Sequence, residues 1–211
     1  MTKTMNNSNN SSNTPFAEII ESCLDHVTAQ CWQWDNFPTF GSLVQIESNE
    51  QIIFGCVTGI QTGSMDPLRY PFPYQKTEAE LYAEQPQIFE FLKTTFKVQI
   101  LGYQDKNNTK KIFYLLPPKP CKIHAFVNTS SPEIQTLFFH KFDFLNLLFA
   151  FAHQIPNIDE LLLVMIQQLS HQNLLSPQKL DLFCQKFSLL IGNDYRRLKL
   201  IFQRIEENNN P

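Results

Sequence analysis

The hydrophobic period changes once along this 211-residue chain, near Ser131. Before it, Phe96, Val98 and Ile100 alternate with Lys97 and Gln99 across Phe96–Tyr103, the period-2 pattern of a half-buried strand. After it, Leu180, Phe183, Phe187, Leu190 and Ile191, and then Leu198, Ile201, Phe202 and Ile205, recur at three and four, the stripe of an amphipathic helix. A segment written in one period does not settle into the other structure. The chain is therefore expected to be α+β with the β part first: a small closed β-barrel of about six strands carrying a helical insertion, then a C-terminal helical bundle.

In the first part, strands are expected over 24–32, 41–47, 51–61, 96–103, 110–116 and 121–127. Ser48-Asn49-Glu50 is a polar turn that joins the second and third as a hairpin. Gly55 and Gly59 lie inside the third strand, where glycine marks a bulge, a bend or a close backbone approach. So few strands leave costly free edges unless they close on themselves. Residues 62–95 read as an insertion. Its Pro67, Pro71 and Pro73 fix an aromatic loop, and Thr77 with Glu80 writes a capping box for a short helix. The expected boundaries are a disordered polar tail over 1–15, the barrel over 16–130 and the helical domain over 131–208.

In the second part, helices are expected from Pro132, from Ile158 behind an Asn157 cap, from Pro177 behind a Ser176 cap, and from about Asp194, with Gly192 ending the third. Leu137–Ile155 is the most apolar stretch. It holds His140, Lys141, Asp143, Asn146 and His153, which a membrane span tolerates poorly. A buried helix with Phe138, Phe142, Leu145 and Phe149 on one stripe is expected instead.

The composition excludes several classes. A net charge of -3 argues against a globally polybasic nucleic-acid binder, and six glycines against a glycine-rich phosphate loop. The five cysteines form no C-x-x-C pair, and the polar opening has no leader-like apolar run. Reduced, mostly buried thiols in a cytoplasmic protein are expected, with no metal or other cofactor. Asp25-His26 with Cys31 would be the one catalytic pairing to weigh, but no nucleophile turn accompanies it, and no enzyme activity is expected.

Four segments carry a resemblance. Phe40-Gly41-Ser42-Leu43-Val44 looks like an opening G-x-x-V strand, and Ile53-Phe54-Gly55-Cys56-Val57-Thr58-Gly59-Ile60 like a hydrophobic-G-x-V-x-x-I strand. Phe96–Tyr103 looks like a V-x-I-L-G strand, and Leu116-Pro117-Pro118-Lys119-Pro120 with Ile123-His124 like a proline-rich lead into a last barrel strand. In this order they resemble the HAS-barrel, the domain shared by HerA-type DNA translocases and rotary ATP synthase subunits, in a stand-alone form. The chain departs from the translocases in having no G-x-x-x-x-G-K-[ST] and only about 80 residues after the barrel. ATP hydrolysis is therefore not carried over, and no nucleotide is expected to bind. The resemblance implies assembly or docking, since such barrels pack side by side in rings and contact partner proteins.

Two residue groups are candidates for contact. Arg69, Tyr70, Phe72 and Tyr74 sit in the proline-fixed loop, and Tyr and Arg are over-represented in interface hot spots. They favour a protein partner or self-association, with no membrane contact. Lys97, Lys106, Lys110, Lys111, Lys119 and Lys122 are interleaved with Phe96, Tyr103, Phe113 and Tyr114. Charge with stacking rings is how barrels hold single strands, so a nucleic-acid-associated accessory role is the alternative. Residues 1–95 carry 4 Lys/Arg against 11 Asp/Glu, and residues 96–211 carry 13 against 9. That asymmetry suits packing between subunits, as does the basic run Tyr195-Arg196-Arg197 with Lys199 and Arg204.

Overall fold

The computed structural model describes residues 14–66, 68, 72–192 and 194–209. The expected polar tail therefore lies outside the described residues up to residue 13. Seven strands, β1 (Pro15–Ser22), β2 (His26–Cys31), β3 (Leu43–Ser48), β4 (Gln51–Ser64), β5 (Leu92–Asp105), β6 (Asn108–Phe113) and β7 (Phe126–Thr129), precede most of the helices. All pairings are antiparallel. The order β2-β1-β7-β3-β4-β5 returns from β5 to β2 and closes a six-stranded barrel. β5 is long enough to serve two neighbours on one edge, β2 along 95–99 and β6 along 103–105. Closure leaves the ring without a free edge.

The bends that closure needs fall at the glycines. The β4–β5 register shifts between Phe54 and Gly55 and again between Val57 and Gly59. Val44, Ile46, Ile53, Val57, Phe96, Val98, Ile100 and Val127 fill the barrel. Leu43, Phe54, Cys56 and Leu101 point outward into a second core built with the helices. The expected hairpin is present, with Ser48 opposite Gln51 across Asn49-Glu50, and Asn49 is left-handed at φ 55°.

Several expected strands are corrected. β1 is not among the expected strands: a bulge between Ile19 and Glu21 interrupts its alternation and leaves Ile20 and Glu21 both exposed after buried Ile19. The strand expected over 121–127 begins only at Phe126. Residues 121–125 instead turn over the barrel end, with His124 left-handed at φ 66°. They are held by Ile19 N–H to Ala125 O (3.0 Å) and His124 N–H to Ile19 O (2.9 Å). The strand expected over 110–116 runs instead from Asn108 to Phe113, where its pairing with β5 ends opposite Tyr103; beyond it the Tyr114 hydroxyl donates to Phe138 O at 2.6 Å.

The chain after Ser131 is helical: α3 (Pro132–Phe138), α4 (Phe144–Ala150), a 3-10 turn (Ala152–Gln154), α5 (Ile158–His171), α6 (Pro177–Ile191) and α7 (Tyr195–Asn209). In the β4–β5 connection, α1 (Glu78–Glu84) and α2 (Gln87–Glu90) precede them. The expected caps Asn157, Ser176 and Gly192 are in place, and Ser131 caps α3 as well. Ser131, Asn157 and Ser176 accept from the N–H of Ile134, Glu160 and Lys179, and Gly192 closes α6 at φ 61°. The single buried helix expected over 137–155 is instead broken, with Phe142 left-handed at φ 52°. Phe138, Phe139, Phe142 and Phe144 are all buried. At 100° per residue Phe144 would face away from Phe138 and Phe142 in one helix, and the break lets every ring turn inward. Among the described residues no helix is long and apolar enough to cross a membrane.

Candidate interaction surface

The β4–β5 hairpin runs further than its alternation suggests. Gln61, Thr62, Gly63 and Ser64 pair with Thr95, Thr94, Lys93 and Leu92, and Thr62 Oγ1 lies 2.7 Å from Thr94 Oγ1. The insertion expected over 62–95 therefore narrows to an arm of residues 65–91, closed at its neck by Met65 N–H to Phe91 O at 2.7 Å.

The arm has local order. Thr77 Oγ1 accepts from Glu80 N, and the Glu80 carboxylate accepts from Thr77 N at 2.7 Å, which completes the capping box. The Thr77 backbone N–H, and then its hydroxyl, hold the Glu80 carboxyl below the usual carboxylate range. Tyr82 stacks on Phe89 at 3.8 Å between centroids, and Phe89 stacks on Trp34 at 5.6 Å. That three-ring column ties the arm to the barrel. Yet neither α1 nor α2 buries a residue. Phe72 (71% exposed) packs edge-on against Tyr74 at 5.8 Å. Phe72, Tyr74, Leu81, Ile88, Phe89 and Phe91 line a groove of about 430 Å³. Met65, Leu68, Phe72, Tyr74, Tyr82 and Phe91 are six of the seventeen large apolar side chains left exposed among the described residues. Of the loop residues singled out by sequence, Phe72 and Tyr74 are in this groove, while Arg69 and Tyr70 lie outside the described residues.

The lysine group divides: Lys97 lies apart, while Lys106 and Lys111 sit on the β5–β6 hairpin and the Lys122 backbone N–H donates to Ser48 Oγ, beside the Glu47 that pairs with Lys106. Lys97 and Lys106 are nine residues apart on and just beyond β5, roughly 30 Å at strand rise. Lys106 pairs with Glu47 at 3.1 Å. Lys111 sits 4.7 Å over the Phe113 ring, which stacks on Tyr103. Lys119 and Lys122 are exposed, and the Lys110 side chain lies outside the described ones. Of the interleaved rings, Phe96 is inside the barrel and Tyr114 is bound to the Phe138 carbonyl.

Asp25, His26 and Cys31 do not form a catalytic pair. His26 Nδ1 lies 3.1 Å from Asp25 Oδ1. Burial pushes the Asp25 carboxyl up, but hydrogen bonds from His26 and Gln154 outweigh it and leave it below its usual range. Cys31 is five residues further along β2, and so on the opposite face, where it joins the barrel core. Burial pushes its thiol up to about 11. The other thiols away from the surface behave alike: buried Cys121 is pushed up to about 12, half-buried Cys184 to about 11 by burial and then the Asp181 charge, and buried Cys56 is raised as well. Only the thiolate reacts. At pH 8 a disulfide reagent should therefore modify one thiol, exposed Cys23, rapidly, and the remaining four only in denaturant. Rapid modification of two or more in the native protein would contradict this placement. The sign for stability follows. Because folded thiols keep their protons longer, their contribution is intact below about pH 8.5, where unfolded thiols begin to ionise, and is lost as pH rises toward 11–12.

On α7, Arg197 binds Asp159 through Nε and Nη2 (2.6–3.0 Å), and Arg204 binds Glu160. Arg196, Lys199, Leu200 and Gln203 share an exposed stripe. Arg196 and Lys199 have no carboxylate partner among the described residues. Sequence reasoning missed the Trp34–Phe89–Tyr82 column. The available signal was density rather than period: Tyr70, Phe72, Tyr74, Tyr82, Phe89 and Phe91 fall within 22 residues. Compared with protein-family models and with curated proteins, the chain matches none.

Proposed function

We propose that this chain is a HAS-like barrel protein of the cytoplasm, non-enzymatic, whose C-terminal helices form a bundle and whose arm holds partner proteins in an assembly or adaptor role. One observation carries the reading: the arm has its own caps and ring column, yet its two helices bury nothing and its large apolar side chains face outward. Apolar area left exposed in one patch marks an interaction site. The rings offer large area with few torsions to freeze. A closed six-strand barrel with glycine bulges in β4 is compatible with the HAS-like reading.

The test compares two variants. A hot-spot ring is typically worth about 2 kcal/mol or more on truncation, roughly 30-fold in affinity. Phe72→Ala with Tyr74→Ala should therefore weaken binding to a protein partner captured from native lysate at least tenfold, with little dependence on salt. Lys106→Ala with Lys110→Ala and Lys111→Ala should change it less than threefold. Binding to single-stranded DNA, measured at two salt concentrations, separates the nucleic-acid alternative, for which affinity falls steeply with salt. If only the lysine variant loses binding and the ligand is DNA, the adaptor reading is wrong.

A further inference from the structure

We infer that the arm's occupant is α7 of a second copy of this chain, in a contact between two different surfaces. The inference rests on the reading of the arm as a protein-contact surface and names its partner. The first ground is charge. Residues 65–91 carry Asp66, Glu78, Glu80, Glu84 and Glu90 against Arg69 and Lys76, a net of -3 (2 minus 5). α7 carries Arg196, Arg197, Lys199 and Arg204 against Glu206 and Glu207, a net of +2 (4 minus 2). On each side some of this charge is already spent internally: Glu80 caps α1, Glu84 pairs with Lys76, Arg197 with Asp159 and Arg204 with Glu160. What remains without an ion-pair partner among the described residues is Glu78 and Glu90 on the arm, and Arg196 and Lys199 on α7. Opposite unpaired charges steer association and fix its register.

The second ground is shape. The unpaired cations of α7 flank exposed apolar side chains, Tyr195 (74%) and Leu200 (53%). The arm holds an apolar groove of about 430 Å³; in the chain, Glu90 stands between its lining residues Phe89 and Phe91, and Glu78 opens α1, which contributes Leu81. A helix laid in a groove is a recurring recognition mode; here the exposed side of α7 offers Tyr195 and Leu200 as its apolar anchors, with Arg196 and Lys199 between them. Of the arm's exposed apolar side chains, Phe72, Tyr74 and Phe91 line that groove. Because the two surfaces differ, the contact is heterologous, and each copy keeps one unsatisfied arm or α7 until a further copy or a reciprocal pairing fills it.

Sedimentation velocity on the full chain from 1 to 100 µM tests this. The wild type should exceed its monomer mass of 24.6 kDa as concentration rises. Phe72→Ala with Tyr74→Ala, and separately Arg196→Glu with Lys199→Glu, should each sediment as a monomer with unchanged far-UV circular dichroism. An equimolar mixture of the two variants should again form a dimer, because one supplies an intact α7 and the other an intact arm. A wild type that stays monomeric at every concentration overturns the self-pairing and leaves the arm open to other proteins. Association lost in the arm variant but kept in Arg196→Glu with Lys199→Glu overturns it in favour of arm-to-arm contact, and association lost in both that mixing does not restore overturns it as well. Association that survives loss of the arm rings overturns both this inference and the reading beneath it.

Discussion

Phe138→Ala should lower the free energy of unfolding by about 3–5 kcal/mol, the usual cost of emptying a buried phenylalanine site. Phe138 is 0% exposed and its ring meets Phe54, Tyr114, Phe139 and Phe144 at centroid distances of 5.2–5.5 Å. Phe54 belongs to the outer face of β4, Tyr114 follows β6, and Phe139 and Phe144 flank the break between α3 and α4. The ring is therefore where the barrel wall and the helices meet. Its backbone carbonyl also accepts from the Tyr114 hydroxyl, which desolvation by burial and then the Asp143 charge hold protonated up to about 12. Alanine keeps that carbonyl but leaves a cavity that four rings from three directions cannot all close. Against a typical total of about 5–15 kcal/mol, the loss is large. Neighbouring Leu137, half-exposed, should cost less than 1 kcal/mol on the same change. Urea titration of both variants measures this. Equal midpoints would mean that Phe138 does not join the two cores.

Gly55→Ala and Gly59→Ala should behave oppositely, although both glycines sit at bulges of one strand. A Cβ on Gly55 would lie 2.3 Å from Val98 Cγ1 and 2.9 Å from Gln99 O, while one on Gly59 would meet nothing within 4 Å. The Gln99 contact is backbone, and Val98 is a stiff β-branched side chain inside the barrel, so neither neighbour yields cheaply. Gly55→Ala should cost about 1–3 kcal/mol by overpacking. Gly59→Ala should be neutral or stabilising by up to about 1 kcal/mol, because it restricts the unfolded chain. Thermal unfolding of the pair reads the difference directly. A larger loss at Gly59 would mean that the bulges are placed otherwise.

These two sites also mark how far the sequence could be read. That Gly55 and Gly59 interrupt a strand was legible, because glycine inside an alternating run has few other uses. Which one is crowded was not, since the crowding comes from β5, some forty residues away. The caps at Thr77, Asn157 and Ser176 were legible for the same local reason: each is completed within three residues. β1 was hidden because its bulge leaves Ile20 and Glu21 on the exposed side together and so breaks the alternation that marks a strand. The break after Phe138 was hidden because Phe138, Phe142, Leu145 and Phe149 do fall on one helical stripe, and only the surrounding core shows that Phe139 and Phe144, which lie off it, are buried too. Within the arm, the proline-fixed loop stood out, but the column that anchors it did not, because Trp34 and Phe89 are 55 residues apart and nothing local couples them.

Site-specific photocrosslinking in the expressing cell tests the arm most directly. Phe72, and separately Lys106, are replaced by p-benzoylphenylalanine, and the irradiated products are resolved by mass. The arm reading predicts protein adducts from position 72, at several times the yield from position 106, with a peptide of α7 as the crosslinked site when the partner is a second copy. Adducts from position 106 with none from position 72 would contradict it.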